Sequence, residues 1–204
     1  MANVNVAFGL KPINNAGSTP ATGGTNAYLI ASNASAIYQG SAVKAVNGGS
    51  IAIGSASGDT VAFLGVFAGC EYVSSTTGKK VFSNYWPGSG ADTDFDIIGH
   101  VYDNPLQRFV VCTDATFTNQ ATAEAAIFEN SQFNSGAGGS TTTGISNAQL
   151  DVATLDSSNA SLPLKIVGIA TDADNEDYAA AGLPVIVMIN NHALLQADSE
   201  AAIS

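Results

Sequence analysis

Charged residues are scarce in this chain of 204 residues, and basic residues are the scarcest. Lys, Arg, Asp and Glu make up 11% of the sequence, under half the share usual in soluble domains. Six Lys and Arg stand against 17 Asp and Glu, giving a net charge of −11. Nucleic-acid binding depends on clustered basic residues, and here only Lys79 and Lys80 are adjacent. The composition therefore argues against nucleic acid and against an anionic membrane surface as partners.

Long apolar runs and paired cysteine motifs are also missing. No segment reaches the ~18 apolar residues of a membrane helix. The first residues lack the basic and apolar regions of a secretory signal, so we expect synthesis and folding without export by that route. The two cysteines, Cys70 and Cys112, show no CxxC spacing and no neighbouring histidine, so we expect them to be free buried residues and leave a disulfide between them open.

Residues for catalysis are few, and we predict no catalytic, cofactor-binding or metal-ligating residue. The segment closest to a nucleophile elbow, 54–58, has Ala56 where serine is required. We expect His100 to lie in a strand and hydrogen-bond with Asp103, and His192 to cap or pack at a strand end. The acidic clusters 92–96 and 172–177 lack the Gly and Glu of an EF-hand loop, so we read them as solvated turns and leave irregular calcium loops open. No phosphate loop or dinucleotide fingerprint occurs.

Strand signals dominate what is present. Short β-branched and aromatic runs are separated by Gly, Asn, Ser and Thr, which predicts an all-β fold with a barrel or sandwich-like core of about ten short strands. In "FDIIGHVYD" both faces carry apolar groups, which predicts a central or doubly covered strand. The predicted strands are 27–31, 41–46, 50–53, 61–67, 71–73, 80–86, 95–102, 107–112, 164–170 and 184–190.

At most one or two short helices are expected. The Ala-rich segment 119–133 is the one good helix candidate, and the Gly/Ser/Thr-rich segment 134–144 is read as a flexible linker. The predicted organisation is an extended N-terminal arm (1–26), a β domain (27–190) with a helix and loop insertion at about 117–160, and a C-terminal tail (191–204).

The opening segment has scattered apolar residues but neither helix nor strand continuity. Such a segment suits an arm that is buried against a neighbouring subunit. We therefore predict an interface that uses Val4, Val6, Phe8, Leu10, Lys11 and Pro12.

The opening "MANVNVAFGLKP" resembles the "MAN-x-N-x-PFGLRPV" start of a group of small structural proteins of tailed bacteriophages. The resemblance continues in order through "NAYLIA", "IYQGSAVK", "FLGVFAGCEY", "KVFSNYWPG", "HVYDNPLQRFVV", "KIVGIA" and "VIVMINNH". Ala7 stands where Pro is common in that group, and Lys11 where Arg is common.

These relatives look like capsid decoration, or cement, proteins. The resemblance implies a mostly β protein that is made in the host cytoplasm and sits on the outer face of the capsid. There it would bridge major capsid subunits, as a homotrimer or a dimer. A tail or head-fibre component is the alternative within structural proteins. A carbohydrate-binding module using Tyr85 and Trp86 is the alternative from another class.

Overall fold

The computed structural model describes residues 3, 6–17, 20, 24–54, 62–170 and 174–195. These residues are mostly β, which confirms the predicted all-β class with a barrel or sandwich-like core. The elements are β1 (Lys11–Asn15), β2 (Asn26–Ile30), β3 (Ala42–Val46), β4 (Ser50–Ile53), β5 (Gly65–Val73), β6 (Lys80–Ser83), β7 (Ile97–Tyr102), β8 (Gln107–Cys112), α1 (Gln120–Ala125), β9 (Asn130–Ser131), β10 (Phe133–Asn134), β11 (Gln149–Leu150), a 3₁₀ turn (Val152–Thr154), β12 (Leu164–Ile169) and β13 (Pro184–Ile189).

Five strands close into a small barrel. They follow the order β3-β4-β2-β7-β5, and β5 pairs back onto β3 at Ala42–Val66 and Val43–Gly65. Strands β2 and β4 run parallel, and the other neighbours in the ring are antiparallel. Strand β6 extends from β5 as a hairpin outside the ring. Because the β3–β5 pairing closes the ring, each of its five strands is paired on both sides and few backbone edges are left free.

The barrel interior is filled by alternate residues of its strands. In β7, Ile97, Gly99 and Val101 are buried, while the residues between them are half-buried on the outer face. A Cβ at position 99 would lie about 3 Å from the side-chain ends of Ile51 and Ile30, so Gly99 leaves room for these two residues in the barrel interior. Strand β7 lies between β2 and β5, as its two apolar faces predicted.

A second sheet of five strands packs against the barrel in the order β1-β8-β13-β12-β9. Its central strands β13 and β12 are the continuous apolar runs of the sequence. Their side chains share one core with barrel residues such as Phe63 and Val66. The residues on the other face, such as Val167, Ile186 and Met188, are half-buried apolar side chains, so these strands show little alternation of polar residues.

The opening segment belongs to its own domain, so the predicted arm is wrong for the described part of it. Residues Lys11–Asn15 form the edge strand β1, antiparallel to β8. Leu10 is buried in the shared core. Further back, the Asn3 amide group donates to the Asp177 carbonyl at 2.7 Å and accepts from the Asp177 amide at 3.0 Å. Apolar burial and backbone pairing within the chain thus hold residues that we expected on a neighbour.

Two glycines bring the opening segment onto the barrel. The Leu10 amide donates to the Gly40 carbonyl at 2.9 Å. Both Gly9 and Gly40 have positive φ, at +67° and +84°. A Cβ on Gly9 would lie 2.7 Å from the Gly40 carbonyl oxygen, which is too close for any other residue. The two backbones therefore touch without intervening side chains.

Helix α1 is much shorter than predicted. Asn119 caps it through its side chain, which accepts from the Thr122 amide, and it ends at Ala125. The expected helix at 126–133 is wrong, because β9 pairs with β12 and β10 pairs with β11. Phe128 has a left-handed φ of +78°, which no continuing helix permits. No helix in the described part of the chain is long and apolar enough to span a membrane.

The described parts of the predicted linker (134–144) and of the predicted tail (191–204) are hydrogen-bonded to the rest of the domain. The Gln39 amide donates to the Gly144 carbonyl at 2.9 Å, and Ser146 donates back to Gln39 at 2.9 Å. Residues on both sides of His192 bond to Phe63: Asn191 accepts from its amide and Ala193 donates to its carbonyl, both at 2.9 Å. Residues 196–204 lie outside the described residues.

His192 packs at a strand end, as predicted, and is almost fully buried. Its Nδ1 accepts from the Leu194 amide at 3.2 Å, so the ring is neutral with its proton on Nε2. The described residues offer Nε2 no hydrogen-bond partner. Burial lowers the pKa of His192, while the Asp103 charge acts in the opposite direction.

Replacing Gly9 tests the backbone contact. Gly9→Ala should lower the free energy of unfolding by about 2–4 kcal/mol, through left-handed strain plus overpacking. Gly17→Ala is the matched control, because Gly17 has φ +82° but no atom within 4 Å of the point where a Cβ would lie. It should cost only about 1 kcal/mol. Urea unfolding measures both, and equal losses would contradict a close approach at Gly9.

Acid should destabilise the fold through His192. Because its folded pKa lies below the unfolded value of about 6.5, the unfolded chain binds the proton more readily. Stability contributed by neutral His192 is complete above that pH and falls as the pH drops below it. Unfolding measured across pH 5–8 should show this fall, and His192→Gln should flatten it. His100→Gln should retain it; a fall that survives in His192→Gln would assign the effect to another group.

Candidate docking surface

A groove of about 460 Å³ opens where the opening segment crosses the barrel. Leu10 and Phe67 form its buried floor, and Lys11, Gln39 and Ile145 lie at its rim. Its lining is mainly apolar, which is the usual character of a site that takes a side chain or a short peptide. The lining residues are Phe8, Leu10, Lys11, Pro12, Gln39, Gly40, Phe67, Tyr102 and Ile145.

The turn at Gln39–Gly40 positions the walls of the groove. Gly40 accepts from Leu10 of the opening segment and donates to the Phe67 carbonyl of β5 at 2.9 Å. Gln39 bonds through both backbone groups to the loop that carries Ile145. Three separate parts of the chain are thus fixed by one two-residue turn, so the groove is preformed.

Four of the six predicted interface residues line this groove: Phe8, Leu10, Lys11 and Pro12. Val6 is exposed outside it, and its carbonyl accepts from the Cys112 thiol at 3.7 Å. Val4 lies outside the described residues. Contact of any of them with another subunit stays a prediction.

Charge and backbone at the groove favour an apolar, extended partner. Lys11 is the one charged residue among those that line it. The neighbouring strand β1 is at the edge of its sheet, although Asn14 forms a bridge with Pro20 on the open side. The side chains of Lys11 and Ile13 are exposed beside the groove. An extended segment could therefore lie in the groove, although Pro12 offers it only a carbonyl and no N–H for backbone pairing.

Sequence reasoning missed the other side of the groove. Phe67 and Tyr102 end the predicted strands 61–67 and 95–102, Gln39 and Gly40 lie between two predicted strands with no structure assigned, and Ile145 follows the predicted linker. The one local signal was "QG" between two β segments, since glycine marks a turn or a close backbone approach. No local sequence signal predicts that this turn contacts Leu10.

The aromatic pair proposed as a sugar platform is not available as one. Trp86 is fully buried in the barrel core, where its ring packs edge-on against Tyr72 at 5.3 Å between centroids. Its indole nitrogen donates to the Ala34 carbonyl at 3.2 Å. Tyr85 is half-buried and stacks on Tyr38 at 5.8 Å. Trp86 is therefore a core residue of the barrel.

Asp103 has partners other than the expected His100. Its carboxylate accepts from the Asn26 amide group at 2.8 and 3.0 Å and from the Tyr28 hydroxyl at 2.5 Å. Burial, with this hydrogen bond and the Asp103 charge, raises the pKa of Tyr28 to about 12. The group joins the end of β2 to the end of β7 and holds no poised nucleophile.

Cysteines and acidic residues likewise form no reactive or metal centre in the described ranges. Cys70 and Cys112 are buried and free, in different sheets, so the disulfide left open by the sequence does not form. Burial raises the pKa of the Cys70 thiol to about 12. Among residues 3, 6–17, 20, 24–54, 62–170 and 174–195, no three His, Cys, Asp or Glu side chains are grouped to hold a metal ion. The cluster 172–177 lies partly outside these ranges.

Comparison with known proteins found no match: no protein-family model, no curated protein and no solved structure matches the chain.

Removing Trp86 tests its place in the core. Trp86→Ala should lower the free energy of unfolding by about 3–5 kcal/mol, because it leaves a large cavity inside the barrel. Iodide should leave the fluorescence of the native wild-type protein nearly unquenched and quench it after unfolding in urea. Strong quenching in the native state would show an exposed ring and contradict this packing.

Proposed function

We propose that this chain is a capsid decoration protein of a tailed bacteriophage, which stabilises the head by bridging major capsid subunits from the outside. One observation carries the proposal. Eight of the nine groove residues come from four of the segments that resemble decoration proteins: "MANVNVAFGLKP", "IYQGSAVK", "FLGVFAGCEY" and "HVYDNPLQRFVV". Segments far apart in the chain thus meet at one surface.

The chemistry of the surface supports a binding role. A cement protein adds contact area to a shell that already assembles, so each copy needs only a modest free energy. An interface of ~1,600 Å² in total suffices for specific docking. The groove supplies apolar burial at its centre, and the edge strand β1 supplies backbone groups. A net charge of −11 suits the outer face, away from packaged DNA.

The partner in this proposal is an extended apolar segment of the major capsid protein. In this proposal the protein also associates with itself, as a homotrimer or a dimer. One particle bears many copies, because the capsid offers many equivalent binding positions. Hundreds of copies per head are expected from decoration. A few copies per particle would instead indicate the tail or head-fibre alternative.

Add-back to heads that lack the protein tests the proposal. Heads without the protein should form but release DNA at a lower temperature than decorated heads. Adding the wild-type protein should raise the temperature of DNA release to that of decorated heads. Ile145→Asp places a carboxylate at the groove rim and should weaken binding by about tenfold or more. Because the contact is mainly apolar, raising salt from about 0.1 to about 1 M should change wild-type affinity little.

Point variants are required here, because deleting the first 20 residues would remove Leu10 and β1 from the fold. Leu106→Asp is the matched control, since Leu106 is an exposed apolar residue that does not line the groove. It should bind and protect like wild type. If Ile145→Asp protects heads equally well, the groove is not the contact.

A further inference from the structure

Basic residues gather on the face of the five-stranded sheet that points away from the shared core. The residues on either side of Arg108, Met188 and Lys165 are buried beneath the sheet, so these three side chains lie on its opposite face. Register places Lys165 of β12 beside Met188 of β13, and Met188 beside Arg108 of β8. Neighbouring strands are about 4.8 Å apart, so two cations about 10 Å apart flank one apolar side chain.

The next row across the same face is apolar and ends in a third cation. Val110 of β8 lies beside Ile186 of β13, and both are half-buried. Lys11 of β1 lies beside Val110 and is exposed. The face thus holds three of the six basic residues of the chain, and none of the five strands contains Asp or Glu. We give the name basic sheet face to Lys11, Arg108, Val110, Lys165, Ile186 and Met188.

The three cations of the basic sheet face have no carboxylate partner. Neither Lys11, Arg108 nor Lys165 forms an ion pair within the described ranges of the chain. Arg108 is half-buried, and its Nε has no hydrogen-bond acceptor among the described residues. Lys165 Nζ donates to the uncharged carbonyl of Phe128 at 3.4 Å. In a chain of net charge −11, this face is therefore complementary to an acidic partner.

We propose that the basic sheet face binds an extended acidic segment of another protein, in which an acid, an apolar residue and a second acid occupy alternate positions. Alternate residues of an extended segment point to the same side, and the two acids are then about 13 Å apart. Laid across the strands, the segment brings its carboxylates to Lys165 and Arg108. Its central apolar side chain packs on Met188. The long Lys and Arg side chains span the difference between about 13 Å and about 10 Å.

A protein segment suits this face better than a polyanion such as nucleic acid. The centre of the face is made of Val110, Ile186 and Met188, and a phosphate backbone has no apolar group to bury against them. Apart from the three cations of the face, the chain has 17 acidic residues against three basic ones, since three of its six Lys and Arg lie here. That excess repels a long anion, whereas a short acidic segment touches the face alone.

The proposal does not depend on the capsid role, and it concerns residues outside the groove. Arg108, Met188 and Lys165 do not line the groove. The two contacts also differ in their response to salt. Binding at the basic sheet face should weaken clearly between about 0.1 and about 1 M salt, because it depends on charge, while the groove contact should change little.

Titration of the free protein with short peptides tests the proposal. The probe is the acetylated and amidated peptide "EVIVE", and the control peptide "VEIEV" has the same composition and charge without an apolar residue on the acidic side. Because Arg108 is the one arginine of the chain, its Nε–H signal in a nitrogen-15 NMR spectrum is unambiguous. The probe should shift this signal and the amide signals of Met188 and Lys165. It should bind about threefold or more tightly than the control peptide.

Variants of the two flanking cations show whether each one binds an acid. Arg108→Gln and Lys165→Gln should each weaken binding of "EVIVE" by about threefold or more. Lys165→Glu should abolish it, and the peptide "KVIVE" should bind to this variant, because exchanging the charges restores the attraction. Lys79→Gln is the matched control, since Lys79 is exposed between β5 and β6, outside this sheet. It should stay within about twofold of wild type.

Several results would overturn the proposal, and the peptide comparison needs only the wild-type protein. No shift at Arg108 with millimolar "EVIVE", equal binding of the two peptides, or full binding by Lys165→Gln would each contradict it. Tighter binding of oligothymidine at Arg108 would assign the face to phosphate anions instead. None of these results bears on the groove, which Ile145→Asp tests on heads. Circular dichroism should show that every variant is folded.

Discussion

The contact between Gly9 and Gly40 is the constraint on which the opening segment, the barrel and the second sheet depend. Leu10 enters the shared core because the preceding glycine lets its backbone reach the Gly40 carbonyl. From that point the chain continues as β1 along β8, so the second sheet begins where the barrel is touched. A Cβ at Gly9 would lie 2.7 Å from the Gly40 carbonyl oxygen and would push the two backbones apart, which would displace Leu10 from the core and from the groove.

Several buried polar side chains of the described residues are hydrogen-bonded within the fold. Two buried polar groups have structural contacts: Asp103 joins two strands through Asn26 and Tyr28, and His192 accepts from the Leu194 amide in the turn after β13. The described surface offers apolar residues at the groove beside β1.

Most strands could be predicted because their signals are local. The run 107–112 and the run 50–53 carry β-branched residues between turn residues, and both strands are found with those bounds. Strand β1 could not be predicted, since "KPINN" has one strong strand former and becomes a strand only through pairing with β8. The helix at 119–133 was overestimated because alanine content ignores the pairing of β9 and β10. The groove was not predicted: its apolar opening segment was interpreted as an arm on a neighbouring subunit, and its partners across the turn at Gly40 depend on tertiary contacts.

Amide hydrogen exchange of the protein, free and bound to heads, tests the central claim most directly. That claim is that the opening segment closes its own domain and that the groove it forms is the contact with the capsid. The Leu10 amide should therefore exchange slowly in the free protein, and binding should add protection at Lys11 and Ile145. The Gln39 amide, which already donates to the Gly144 carbonyl, should be slow in both states. Rapid exchange of Leu10 before binding, or new protection that avoids the groove, would contradict it.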